Sequence, residues 1–333
     1  MAYTTIDNPE LYFQCKLYTG NGSNGHAQTF DGDENMQPNM VWIKSRSAAE
    51  NHHIFDSVRG ANKRLIPNDT SAEFDDSSNL QSFDSDGFTL GTADGINKNT
   101  ATFVCWGWKE ASEIFDIVSY TGNGSNRNIS HSLSAKPAMI LVKQRSASRD
   151  WWVYNKNLHG TDGATGVLYL STNDAAGTSA TTSWNSTAPT TSVFSLGTTV
   201  GVNADSGTYI AYCFAEKQGF SKFSSFVGNG NNDSPFVYTG FRPALVILKG
   251  TASNREWLIH DNKRDTENVV DGTLYPNTSD AEGTGTARMD FLSNGFKLRE
   301  DGNNWNASGE TYIYAAFAEA PFVNSNGVPC NAR

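Results

Sequence analysis

The hexamer Tyr18-Thr19-Gly20-Asn21-Gly22-Ser23 occurs again, letter for letter, as Tyr120-Thr121-Gly122-Asn123-Gly124-Ser125. A third version, Phe226-Val227-Gly228-Asn229-Gly230-Asn231, keeps the aromatic, β-branched and glycine positions. The first two copies start 102 residues apart and the last two 106 apart. An aromatic strand end running into Asn-Gly signals a tight turn, because Gly and Asn accept the positive φ such turns need. Three such turns at near-equal spacing mean a unit of about 100 residues present three times.

Other landmarks recur in the same order. An apolar strand ending in lysine follows a proline in each unit: Pro38…Lys44, Pro137…Lys143 and Pro243…Lys249. A polar loop comes next, then an aromatic strand (His53-Ile54-Phe55-Asp56, Trp151-Trp152-Val153-Tyr154, Glu256-Trp257-Leu258-Ile259) and an Asn/Thr/Asp/Ala turn. Each unit closes on an alternating strand starting at Thr102, Thr208 or Thr311. These segments are short, β-branched or aromatic, and bounded by Gly, Asn, Asp and Ser, as strands are. No stretch sustains a helical period beyond a turn or two. The pattern predicts an all-β chain of three tandem β-sandwich or jelly-roll units, each with its own core. The boundaries are an N-terminal arm over 1–12, units over 13–112, 113–218 and 219–323, and a C-terminal tail over 324–333. Connectors at Glu110–Glu113 and Lys217–Gly219 are short, so the units should touch. The arm is expected to dock on a neighbour or to fray.

The net charge of −10 is uneven. Residues 1–112 hold eight Lys and Arg against fifteen Asp and Glu, 113–218 seven against seven, and 219–333 ten against thirteen. An acidic surface argues against nucleic acid and anionic membrane as partners. It also casts the neutral middle unit as a packing surface and the first unit as the one facing water. No apolar run has transmembrane length and the N-terminus is not a signal peptide. Of the four cysteines, Cys15 and Cys105 could bridge within the first unit. Buried free thiols are the expectation, since strand cysteines act as small hydrophobes. No CxxC or Cys/His cluster suggests a metal, and no cofactor is implied.

Paired carboxylates are the first catalytic candidates. Asp75-Asp76, Asp84 with Asp86, and Asp31 with Asp33-Glu34 sit in polar turns that the other units do not repeat. A glycosidase needs two acids fixed across a cleft beside buried aromatics, so no catalytic residue is assigned. Asp84-Ser85-Asp86-Gly87 resembles the start of a calcium loop but lacks its closing glutamate, and reads as a turn before Phe88. The six histidines have no nucleophile context and read as surface or strand-edge residues. For ligand binding the candidates are Trp151, Trp184 and Trp305, as exposed aromatics for sugar stacking, and Arg46 and Arg145, at matched loop positions. The arginines read either as forks for a carboxylate or sugar, or as salt bridges pinning a loop.

The run Tyr-Thr-Gly-Asn-Gly-Ser, Val41-Trp42-Ile43-Lys44-Ser45-Arg46-Ser47-Ala48, His53-Ile54-Phe55-Asp56-Ser57-Val58-Arg59-Gly60-Ala61 and Ser85-Asp86-Gly87-Phe88-Thr89-Leu90 resembles a repeat in structural proteins of marine tailed bacteriophages, as does the opening Met1…Pro9. It covers residues 1 to about 110 closely and the other units more loosely. The resemblance implies lectin-like or SPRY-like β-sandwiches in a non-enzymatic virion protein: a head decoration, head fibre or tail-associated part. Its partners would be major capsid or tail proteins and further copies of itself. The competing reading is an adhesin that binds host glycans.

Overall fold

The computed structural model describes residues 2–178 and 181–330. Met1 of the expected arm and residues 331–333 of the expected tail lie outside them. The chain is all-β, with antiparallel ladders and helices of a single turn.

One strand order appears three times. In the first unit the opening strand Phe13–Thr19 pairs with the closing strand Thr102–Trp108; next come Met40–Ser45 and His53–Asp56. The second unit repeats this with Phe115–Thr121, Thr208–Ala215, Pro137–Gln144 and Trp152–Asn155. The third uses Ser221–Val227, Thr311–Pro321, Phe241–Gly250 and Trp257–Asp261. A smaller sheet in each unit, containing Gly87–Leu90, Val193–Leu196 or Gly295–Leu298, covers one face of this main sheet.

Strand alternation then decides what each side chain meets. In the closing strand of the first unit, Phe103 and Cys105 face the small sheet and join Tyr18, Val41, Ile43 and Phe88 in the unit's own core. The other two units have equivalent cores. Side chains of the opposite parity, Val104, Trp106 and Trp108, enter a further core built from all three units. One core per unit was therefore only part of the design. Both faces of each main sheet are covered, and Met40–Ser45, Pro137–Gln144 and Phe241–Gly250 are buried at every position. Antiparallel sheets commonly keep one solvated face; here the neighbouring units take its place.

The shared core centres on three rings at one register position. Trp108, Phe214 and Phe317 lie opposite the first residue of their unit's opening strand. Their centroids are 6.1 Å (Trp108–Phe214), 5.6 Å (Trp108–Phe317) and 5.9 Å (Phe214–Phe317) apart, all edge to face. That is the favoured geometry for aromatic pairs, and it gives the chain an approximate threefold axis.

The described part of the N-terminal arm packs on its own chain. Ile6 enters the shared core, the Tyr3 hydroxyl donates to Gly240 O, and the Thr4 hydroxyl donates to Gln218 O. Asp7 accepts from the Ser325 backbone and hydroxyl, so arm and tail meet. An apolar residue among polar ones anchors the segment to its own chain. The cysteines are free thiols, with Cys15, Cys105 and Cys213 buried and Cys330 exposed. Cys15 pairs in register with Trp106, so Cys105, one residue away, points to the opposite face and no bridge can form.

Candidate functional site

The repeated hexamer is held by a buried asparagine far along the same unit. Asn97, Asn203 and Asn306 each end a single helical turn. Their side-chain oxygens accept from the backbone N–H of Asn21, Asn123 and Asn229 at 2.9, 3.0 and 2.9 Å. Their amides donate to the carbonyls of Ser23, Ser125 and Asn231. The preceding glycine has no room for a side chain: a Cβ at Gly20, Gly122 or Gly228 would lie 2.2–2.3 Å from the carbonyl of Lys98, Ala204 or Ala307. Gly22, Gly124 and Gly230 adopt φ of 68°, 67° and 64°. Closure of the unit, not ligand contact, accounts for the hexamer.

The recurring lysines are buried at the seams between units. Lys143 Nζ donates to Arg149 O and, across the seam, to Thr70 O of the first unit. Lys249 Nζ donates to Gly250 O and to Asp174 O of the second unit. Lys44 Nζ donates to Ser45 O and Ala48 O and lies in the field of Asp280 and Glu282 of the third unit. Burial disfavours the charge and lowers each lysine from 10.5 to about 8, against the pull of nearby carboxylates.

Three equivalent backbone bonds run across the same seams, from Glu73 N to Arg145 O, Ala176 N to Thr251 O and Glu282 N to Arg46 O. The ring of units is therefore closed. Indole and imidazole N–H groups repeat the pattern: Trp151 Nε1 donates to Ile66 O, Trp257 Nε1 to Tyr169 O, and His52 Nε2 to Tyr275 O. The His52 tautomer follows, since its Nδ1 accepts from Trp42 Nε1.

Of the proposed ligand residues, Arg46, Arg145 and Trp151 belong to this framework. Arg145 forks onto Glu73 of the first unit, and Arg46 bonds Glu282 of the third at 2.7 Å. They do pin a loop, but one belonging to the adjacent unit. Arg255 bonds Glu310 of its own unit; the position matching Arg46 and Arg145 is Thr251. The expected exposure of the three tryptophans is corrected. Trp151, Trp184 and Trp305 are 0%, 2% and 6% exposed. Trp151 lies in the shared core, and Trp184, although in a polar stretch, turns inward from a helical turn to donate to Gly166 O. Trp305 packs in the third unit's core under Arg288, whose guanidinium is 4.2 Å from the ring. Trp152, on the other face of its strand, is the half-exposed member of the Trp151-Trp152 pair.

Three histidines are not at the surface either. His52, His53 and His260 are buried, and burial pushes His53 and His260 down to about 3. Arginine follows three residues after a buried aspartate at two seams. Asp56 and Arg59 bond each other and the Tyr212 hydroxyl of the second unit. Asp261 and Arg264 bond each other, and Asp261 also accepts from Trp106 Nε1 of the first. Burial raises Asp261, but Arg264 and its donors outweigh this and hold it below the ordinary carboxylate range. At the remaining seam Asn155 and Leu158 occupy the corresponding positions, with Ala315 in place of the aromatic partner.

The acidic turns are also accounted for locally. Asp84 accepts from Ser82 and Thr89, and Asp86 accepts from Met36 N, in a turn that closes between Asp84 and Gly87. Asp76 caps Ser78 N. Among the described residues no group of three His, Cys, Asp or Glu is arranged to hold a metal ion, and no helix is long and apolar enough to cross a membrane.

No curated protein and no solved structure matches the chain. One family model matches residues 8–321, running through all three units, and the chain belongs to that family, described as Domain of unknown function (DUF7483).

Proposed function

We propose that the chain is a non-enzymatic structural component of a bacteriophage virion surface, a three-lobed block that packs against capsid or tail proteins and against further copies of itself. The observation that carries this reading is the shared core. Three main sheets bury their second faces against one another, and the matched polar residues are used to bind lobe to lobe. Such a body keeps its shape under load, because separating the lobes exposes a continuous apolar surface to water. The repeat pattern, which resembles that of phage structural proteins, supplies the setting. The acidic surface adds solubility and discourages contact with packaged nucleic acid. Mass spectrometry and cryo-EM of purified particles test the reading. The expected result is the chain in multiple copies on the shell or tail; its absence from purified particles overturns it.

A further inference from the structure

The three units serve as controls for one another. What the fold requires recurs in each: the close-packed glycine, the pinning asparagine, the buried lysine. A surface feature found in one unit alone is not demanded by the fold, since two units form without it. A groove of about 270 Å³ where the second and third units join is lined by Tyr3, Glu216, Gln218, Lys222 and Tyr238. Tyr238 is 52% exposed, and Phe236, on the same face of its strand, is 46% exposed. Strand pairing places Asn128 and Ser130 at these positions in the second unit, and Ala27 and Thr29 in the first. Lys222 likewise stands where the other opening strands have Gln14 and Asp116.

The polar wall is organised. Glu216 accepts from Lys222 and from Lys156, each at 2.7 Å. Tyr3 donates to Gly240 O at 2.7 Å, which leaves its oxygen to accept from the Tyr238 hydroxyl at 3.2 Å. The exposed Gln218 amide completes the rim. We infer that this groove binds a neutral hexopyranose glycan. The C–H face of a pyranose packs on the phenol of Tyr238, and its hydroxyls meet the Gln218 amide, the Glu216 carboxylate and the Lys222 ammonium. Because the wall's carboxylate and ammonium, Glu216 and Lys222, pair with each other, the groove offers directed hydrogen bonds with little net charge, which selects against a polyanion.

The inference is independent of the virion reading: particle localisation tests that one, and solution binding tests this one. The full chain is screened against an array of neutral oligosaccharides of glucose, mannose, galactose and N-acetylglucosamine, with tetragalacturonate as the anionic arm, followed by calorimetry on the best binder. The expected result is binding of a neutral glycan that changes little with salt and weakens about tenfold in Tyr238→Ser and in Lys222→Gln. Both substitutions install residues that another unit carries at that position, and unchanged melting temperatures confirm the fold; Phe236→Asn is a third variant of the same kind. No binding to any neutral glycan, binding of tetragalacturonate alone with steep salt dependence, or binding that ignores all three variants overturns it.

Discussion

A buried amide can organise a turn that lies 80 residues away in sequence. Asn203 is 0% exposed and is bonded to Asn123 N and to the carbonyls of Ser125 and Gly197. Its replacement by alanine leaves these groups without their partner. Asn203→Ala is therefore expected to cost about 1–3 kcal/mol in urea unfolding. The buried histidines set an acid limit. His53 has a folded-state pKa of about 3 against 6.5 unperturbed, so between those values the unfolded chain binds more protons. Its contribution to stability is complete above pH 6.5 and is lost as pH falls toward 3. His53→Leu, the residue the third unit has as Leu258, should flatten that part of the pH profile measured by thermal melts. The lysines act at the other end. With Lys44, Lys143 and Lys249 at about 8 rather than 10.5, their contribution makes stability rise with pH above about 8. Lys→Met variants at these positions should reduce that slope.

At the scale of elements, a strand and a loop from different units are joined by one motif used three times with different side chains. Arg145 with Glu73 and Arg46 with Glu282 hold two seams, while Thr251 and Ala176 occupy the third. Where the arginine is absent, so is the acid. A double-mutant cycle on Arg145→Ala and Glu73→Ala should return a coupling energy of about 0.5–3 kcal/mol. A coupling of zero would show that the backbone bond alone carries the contact. The sequence held a signal for this pairing, since Arg46, Arg145, Glu73 and Glu282 all stand at matched positions. Reading it required aligning the acids with the arginines of the neighbouring unit instead of their own.

For the molecule as a whole, the shared core makes the three units one cooperative body. A single unit such as 113–218 would expose Met139, Leu141, Trp151, Tyr212 and Phe214 to water, all of them buried here. The isolated segment is expected to aggregate or stay unfolded, whereas the full chain should melt in a single calorimetric transition with matching van't Hoff and calorimetric enthalpies. Three separate transitions would return the units to independence. Trp108 tests the axis directly. It is 1% exposed and its indole N–H has no hydrogen-bond partner, so its role is packing. Trp108→Ala should cost about 3–5 kcal/mol. Trp108→Phe, matching Phe214 and Phe317, should cost far less.

Recurrence and strand chemistry were enough to determine an all-β chain, the landmarks of each unit and the turn at Asp84–Gly87, because turns and strand periodicity are set by local residues. The apolar runs Ala138–Val142 and Ala244–Leu248 also carried a sign of double-sided burial, as continuous hydrophobic strands do. What covered the second face was not legible, since a strand cannot show whether its outward side meets water or another sheet. Only the tertiary structure decided that Trp151, Trp184 and Trp305 are buried, that Arg46 and Arg145 face carboxylates of the adjacent unit, and that Tyr3, Thr4 and Ile6 of the arm pack on the chain's own second and third units. Burial is a property of the closed ring, in which residues hundreds of positions apart exclude water together.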